Sequence, residues 1–211
     1  VSSSQSLNQA DLLEVLLPAN SSSPVFVPLG ISNSQQVYVD LGAGSVVSIT
    51  SGDQAEQSSV FNALIVSALF ASKNRLRVIL YTKNSHQSVD FADISVASSF
   101  AEVLGLVRLS ATNSVVFSRE EVSDGEVSQL RDNDVAVVCQ NELASATTTL
   151  HAVDSSWHLL PSNLSIDPFG LSVEQVAALS ELLNDVVRCV DEVSVSRELV
   201  FDSTVALENV S

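Results

Sequence analysis

Twenty-five consecutive residues, Ser58 to Thr82, constrain this chain more than any others. They read as a helix of just over three turns over residues 60–71, then Lys73-Asn74, then a strand over residues 76–82. The first run is longer than a usual strand and carries Ala and Leu without Gly or Pro. Its apolar residues are not confined to one stripe. Phe61, Leu64, Ile65 and Ala68 form one face, while Val66, Leu69 and Phe70 lie largely off it. A helix apolar nearly all round is buried on more than one side. It is too short to span a bilayer, and Lys73, Arg75 and Arg77 follow at once. Two settings satisfy it. Either it lies between two layers of its own fold, or Phe61, Ile65 and Leu69 face another subunit.

The material around this helix is Val-, Leu- and Ala-rich. Apolar residues make up 45% of the 211 and aromatics only 5%, so the core is aliphatic, with a lean toward strand. The net charge of −16 arises from scarce bases, 9 against 25 acids. Four of those bases, Lys73, Arg75, Arg77 and Lys83, fall within eleven residues. No basic patch elsewhere tracks phosphates, which argues against nucleic acid, and an anionic membrane surface is disfavoured for the same reason. No signal peptide or membrane-inserting span is legible. Met is absent throughout, so the sequence reads as beginning after a processing event or the loss of its first residue. Cys139 and Cys189 fit no metal spacing and are buried thiols or one disulfide.

Taken in order, Ser6 and Gln9 form a capping-box pattern opening a short helix that Pro18 stops. Strands are expected at 25–29, 36–41 and 46–50, with Gly42-Ala43-Gly44-Ser45 as a hairpin turn between the last two. After the central helix come strands at 76–82 and 89–97. The second half has a helical turn at 101–105 and strands at 106–109, 114–122, 135–140, 147–153 and 157–160. A loop is expected at 162–170. Ser172 with Gln175 then caps a helix running to about residue 192, and Leu171 with Val176 makes its hydrophobic staple. Strands at 193–201 and 204–207 close the chain. Both halves run strands, helix, strand, strand. The expected fold class is therefore α+β, mainly antiparallel β. Two small OB-like barrels stand in tandem, at 1–98 and 99–211, each with one long helix. A single α+β sandwich is the alternative.

The order of elements over residues 7–97 resembles that of the B subunits of AB5 toxins of the enterotoxin type. The local likeness runs from Leu64 to Ala97: Leu80-Tyr81-Thr82-Lys83-Asn84, then His86, then Ala92-Asp93-Ile94-Ser95-Val96-Ala97. The family's intrachain disulfide and its Trp at the end of that strand have no counterpart here. The resemblance implies a ring-forming, sugar-binding barrel. Tyr81 would stack on the sugar, and Lys83 and Asn84 would bond its hydroxyls.

Enzymatic patterns are missing. The only His/Asp cluster is His151, Asp154 and His158, beside Trp157, and on a strand His151 and Asp154 point to opposite faces. No metal-ligand spacing and no Gly-rich phosphate loop occurs. No catalytic residue, metal or cofactor is therefore expected. The functional expectation is a non-enzymatic oligomeric binding module with a glycan as candidate ligand. A structural subunit of a virion or extracellular assembly is the alternative. Partners would be copies of itself or a larger protein assembly, and the location extracellular or virion-associated.

Overall fold

The computed structural model describes residues 24–72, 76–84, 91, 93–110, 112–154 and 156–182. The expected N-terminal helix, the two final strands, the end of the last helix, His86 and Cys189 lie outside those residues.

The elements are β1 (Phe26–Ser32), β2 (Gln35–Asp40), β3 (Val46–Thr50), α1 (Gln54–Ser72), β4 (Leu76–Tyr81), β5 (Ile94–Ala97) and α2 (Phe100–Arg108). After these come β6 (Asn113–Ser118), α3 (Asp124–Arg131), β7 (Ala136–Cys139), β8 (Thr148–Val153), β9 (Ser156–Leu160) and β10 (Leu164–Pro168). A further helix, α4, occupies residues 173–182. All the strands belong to one ten-stranded sheet in the order β2-β1-β10-β9-β8-β3-β7-β6-β4-β5. From β8 to β5 every neighbouring pair is parallel. From β8 outward to β2 every pair is antiparallel.

The fold is therefore mixed α/β, and the expectation of mainly antiparallel OB-like barrels in tandem is corrected. The residue 98 boundary falls between β5 and α2, and the sheet interleaves strands from both sides of it, with β3 between β7 and β8. The physical reason lies in the inner strands. β7 is buried at all four positions and β3 at its first four. Strands covered on both faces lose the alternation of a one-sided sheet and take parallel neighbours joined by helices. Gly42–Ser45 is accordingly no hairpin turn, since β2 and β3 do not pair. It carries the chain from the sheet's outer edge to its centre, with Gly44 in the left-handed region at φ 72.

Successive side chains of each inner strand feed two cores. On one face α1 packs Val60, Phe61, Leu64, Ile65 and Ala68 over Ile49, Leu80, Phe117, Val138 and Trp157. On the other, Val103 and Val107 of α2 and Val127 and Leu130 of α3 cover Ile79, Tyr81, Val137 and Cys139. α1 is thus the buried central helix expected, starting six residues earlier because Asp53 caps it. The strand expected at 106–109 lies instead within or just after α2, and the loop expected at 162–170 contains β10. At the β1–β10 pairing, Gly30 leaves room for the partner backbone; a Cβ there would collide with the Asp167 carbonyl.

Candidate functional site

In open, doubly wound sheets the ligand position is the crevice at the carboxyl ends of the strands, where neighbouring connections leave to opposite faces. Here that place is between β3 and β7, which pair in parallel. The chain leaves β3 into α1 on the first face. It leaves β7 toward the second, where Leu143 and Ala146 pack.

The crevice is closed by the chain's own side chains. Asp53 Oδ1 accepts from the amides of Ala55 at 2.8 Å and Glu56 at 3.2 Å, and the Asp53 carbonyl accepts from Gln57 N at 3.0 Å. Ser51 Oγ accepts from Asp53 N at 3.1 Å and lies 3.3 Å from Glu56 Oε2, to which it donates. Trp157 Nε1, on β9, donates to Glu56 Oε1 at 2.9 Å. Gln57, buried one turn into α1, spans the crevice. Its Nε2 donates to the Ile49 carbonyl of β3 and, at 2.6 Å, to the Gln140 carbonyl after β7. Ser48 Oγ donates to the Asn141 carbonyl at 2.6 Å, and Asn141 is tied to Val122 by bonds in both directions.

A phosphate-binding turn at such a place reads Gly-x-x-x-x-Gly-Lys-Ser/Thr, with free amides and a lysine facing the phosphates. The eight residues after β3 read Ser51-Gly52-Asp53-Gln54-Ala55-Glu56-Gln57-Ser58. At that spacing Glu56 stands where the second glycine would, and Gln57 where the lysine would. Two acids complement the helix dipole in place of an anion. The adjoining cavity, about 540 Å³, is lined by Glu56, Ser59, Val60, Trp157 and Asp167 among others, and among the described residues its charged groups are the two carboxylates. Asp53→Ala removes a helix cap and should cost about 1 kcal/mol. A urea titration with an unchanged slope would register it, and a neutral result would mean that the capping bonds do not persist in solution.

Two strands away, Arg119 follows β6. Its Cζ sits 5.2 Å from the Phe61 ring centroid, and its Nη2 donates to Asn62 Oδ1 at 2.6 Å. Its Nε is buried and makes no hydrogen bond. Burial draws this guanidinium below its ordinary value. Beside it, Lys83 Nζ pairs with Glu120 at 3.6 Å, and Lys83 N donates to the Glu120 carboxylate.

The sequence-derived sugar site does not assemble. Tyr81 is 6% exposed within the second core cluster, so its ring offers no stacking face. Lys83 and Asn84 are exposed beyond the end of β4. Phe61 and Ile65, expected at a subunit contact, are fully buried in the chain's own core, and Leu69 packs against them. His151 and His158 sit opposite each other on β8 and β9, with His151 Nδ1 2.7 Å from Thr50 Oγ1. Asp154 lies in the turn between those strands and bonds to neither ring. Cys139 is a free, fully buried thiol, pushed up to about 11 chiefly by burial, and is therefore protonated at neutral pH. Among the described residues no group of three or more His, Cys, Asp or Glu is placed to hold a metal.

The sheet defines the class, an open mixed α/β sheet, with the crevice between β3 and β7 bridged by the chain's own side chains. No family model and no curated protein matches the chain. Among solved structures it is similar to the cytoplasmic domain of the Thermomonospora curvata type VII secretion ATPase EccC, at 12% identity and a TM-score of 0.47. It is also similar to the cytoplasmic domain of EssC, at 12% identity and a TM-score of 0.46. The matches cover 75% and 74% of this chain but only 27% and 46% of those chains. The expectations of a virion-associated or carbohydrate-binding protein are corrected: Tyr81 is buried and offers no stacking face, and neither similar structure is described as a virion or carbohydrate-binding protein.

Proposed function

We propose that this domain is a non-enzymatic binding module that acts through protein contacts, as a homo-oligomer or within a larger protein assembly. The observation that carries this reading is the occupied crevice: Asp53 caps the α1 amides and Gln57 bridges β3 to the segment after β7. An entering phosphate would have to displace the Asp53 carboxylate and would meet Glu56 without a facing lysine.

A second feature supports the protein-contact part. The outer antiparallel strands have one face against α1. Their opposite face carries Ile31, Tyr38, Val153 and Leu160, each 38–45% exposed. α2 and α3 do not cover it, because they pack on β4, β5 and β7. These side chains leave that sheet face open to a protein contact, since apolar surface gathered into one patch is what such contacts bury.

Amide NMR titrations with ATP and ADP in the presence of Mg²⁺, alongside a phosphate-release assay, test the first part. The expected result is no turnover and no change at the Asp53–Gln57 amides. Turnover, or nucleotide-dependent shifts of those amides, would overturn it. Light scattering on the eluting full chain at micromolar concentration tests self-association. A strict monomer removes the homo-oligomer and leaves the larger assembly.

A further inference from the structure

We infer that Arg119 is an oxyanion-binding residue, its guanidinium held ready at the carboxyl edge of β6 for a carboxylate or phosphate group. The argument begins with charge. This chain has 25 acids, yet among the described residues Arg119 forms no ion pair. Arg119 is half-buried with its Nε enclosed, and taking a cationic donor out of water without a counter-charge is costly. The acid next in sequence, Glu120, does not serve, because Lys83 and the Lys83 amide hold it.

The guanidinium is also preorganised. The Phe61 ring supports its plane from one side. Asn62, itself 2% exposed, accepts from Nη2 and is anchored in turn by its own bond to the Leu171 carbonyl at 3.2 Å. Nε stays unbonded in the interior, and among the described residues Nη1 makes no hydrogen bond. A planar fork set over the Phe61 ring and held by one hydrogen bond, with donors unspent, matches the chemistry by which arginine takes carboxylate or phosphate. Tyr81 O fixes the backbone through Arg119 N at 3.0 Å, so the side chain leaves from the same edge that carries ligands in sheets of this kind.

The test follows the Arg119 Nε–H resonance of the full chain during separate titrations with inorganic phosphate and with succinate, at ionic strength held constant with sodium chloride. A saturable shift with either anion is expected, and the one that saturates first identifies the source. Arg119→Lys keeps the charge but loses the fork and should weaken binding about tenfold. Asn62→Asp places a carboxylate beside Nη2 and should abolish the shift by supplying an internal counter-ion. An arginine serving only to stack on Phe61 would show no saturable shift, or one that Asn62→Asp leaves intact, and either result overturns the proposal. The proposal is separable from the nucleotide reading. One is read at Arg119 and the other at turnover and at the amides that open α1.

Discussion

Phe61→Ala should lower the stability of this domain by about 3–5 kcal/mol, the cost of truncating a fully buried aromatic to a methyl group. Phe61 is inaccessible to solvent and meets the equally buried Phe117 edge-to-face, with centroids 5.6 Å apart and planes at 84°. That pair joins α1 to β6 in the middle of the sheet. Truncation leaves a cavity in the larger core cluster and also removes the ring under the Arg119 guanidinium, so a second cost comes with it. Such a loss is a large share of the roughly 5–15 kcal/mol that holds a typical domain folded. Urea unfolding followed at two protein concentrations is the measurement. A midpoint that falls equally at both places Phe61 in the chain's own core. A loss that appears only on dilution would return it to a subunit contact.

The distinction matters because the sequence left both settings of that helix open. Its all-round apolar character was legible and correctly implied burial on more than one side. What covers it was not legible, because Phe61 meets residues such as Phe117 and Trp157 that lie far along the chain. The same limit governed the sheet. The bounds of β3 and the start of β4 follow from local composition, but parallel pairing is set by crossovers, and a short apolar run reads alike in either kind of sheet. Gly42-Ala43-Gly44-Ser45 carries good hairpin chemistry and still joins strands that do not pair. Tyr81 is expected to stack on a sugar, yet β4 is buried on both faces, which makes its one aromatic a core side chain. Ser123 with Glu126 is a capping box, and it opens α3, which the strand reading passed over. The last helix, by contrast, begins where Ser172 and Gln175 said it would.

The site was legible only as an absence. Gln57 in the sequence is an ordinary polar residue near the start of a helix, and its partners are carbonyls 8 and 83 positions away. Gln57→Glu should therefore be the most informative change at the crevice. The substitution keeps the shape of the side chain but replaces the donating amide with a carboxylate. Ionised, that group has no proton to offer the Ile49 and Gln140 carbonyls and sets a negative charge against both. The buried Ile49 carbonyl and the part-buried Gln140 carbonyl lose their donor, and a total loss of about 3 kcal/mol is expected at neutral pH. The protonated acid can still donate to one of them, so the folded state favours the proton and the folded pKa lies above the unfolded value of about 4.3. The folded form then binds more protons than the unfolded one, and stability falls as pH rises through that interval. Relative to the wild type, the deficit should be full above the folded pKa and should shrink as pH drops toward the unfolded value. Thermal melts of both proteins across that range give the difference directly. A deficit independent of pH would mean that the introduced carboxylate turns out to solvent and that the bridge between β3 and the segment after β7 is dispensable.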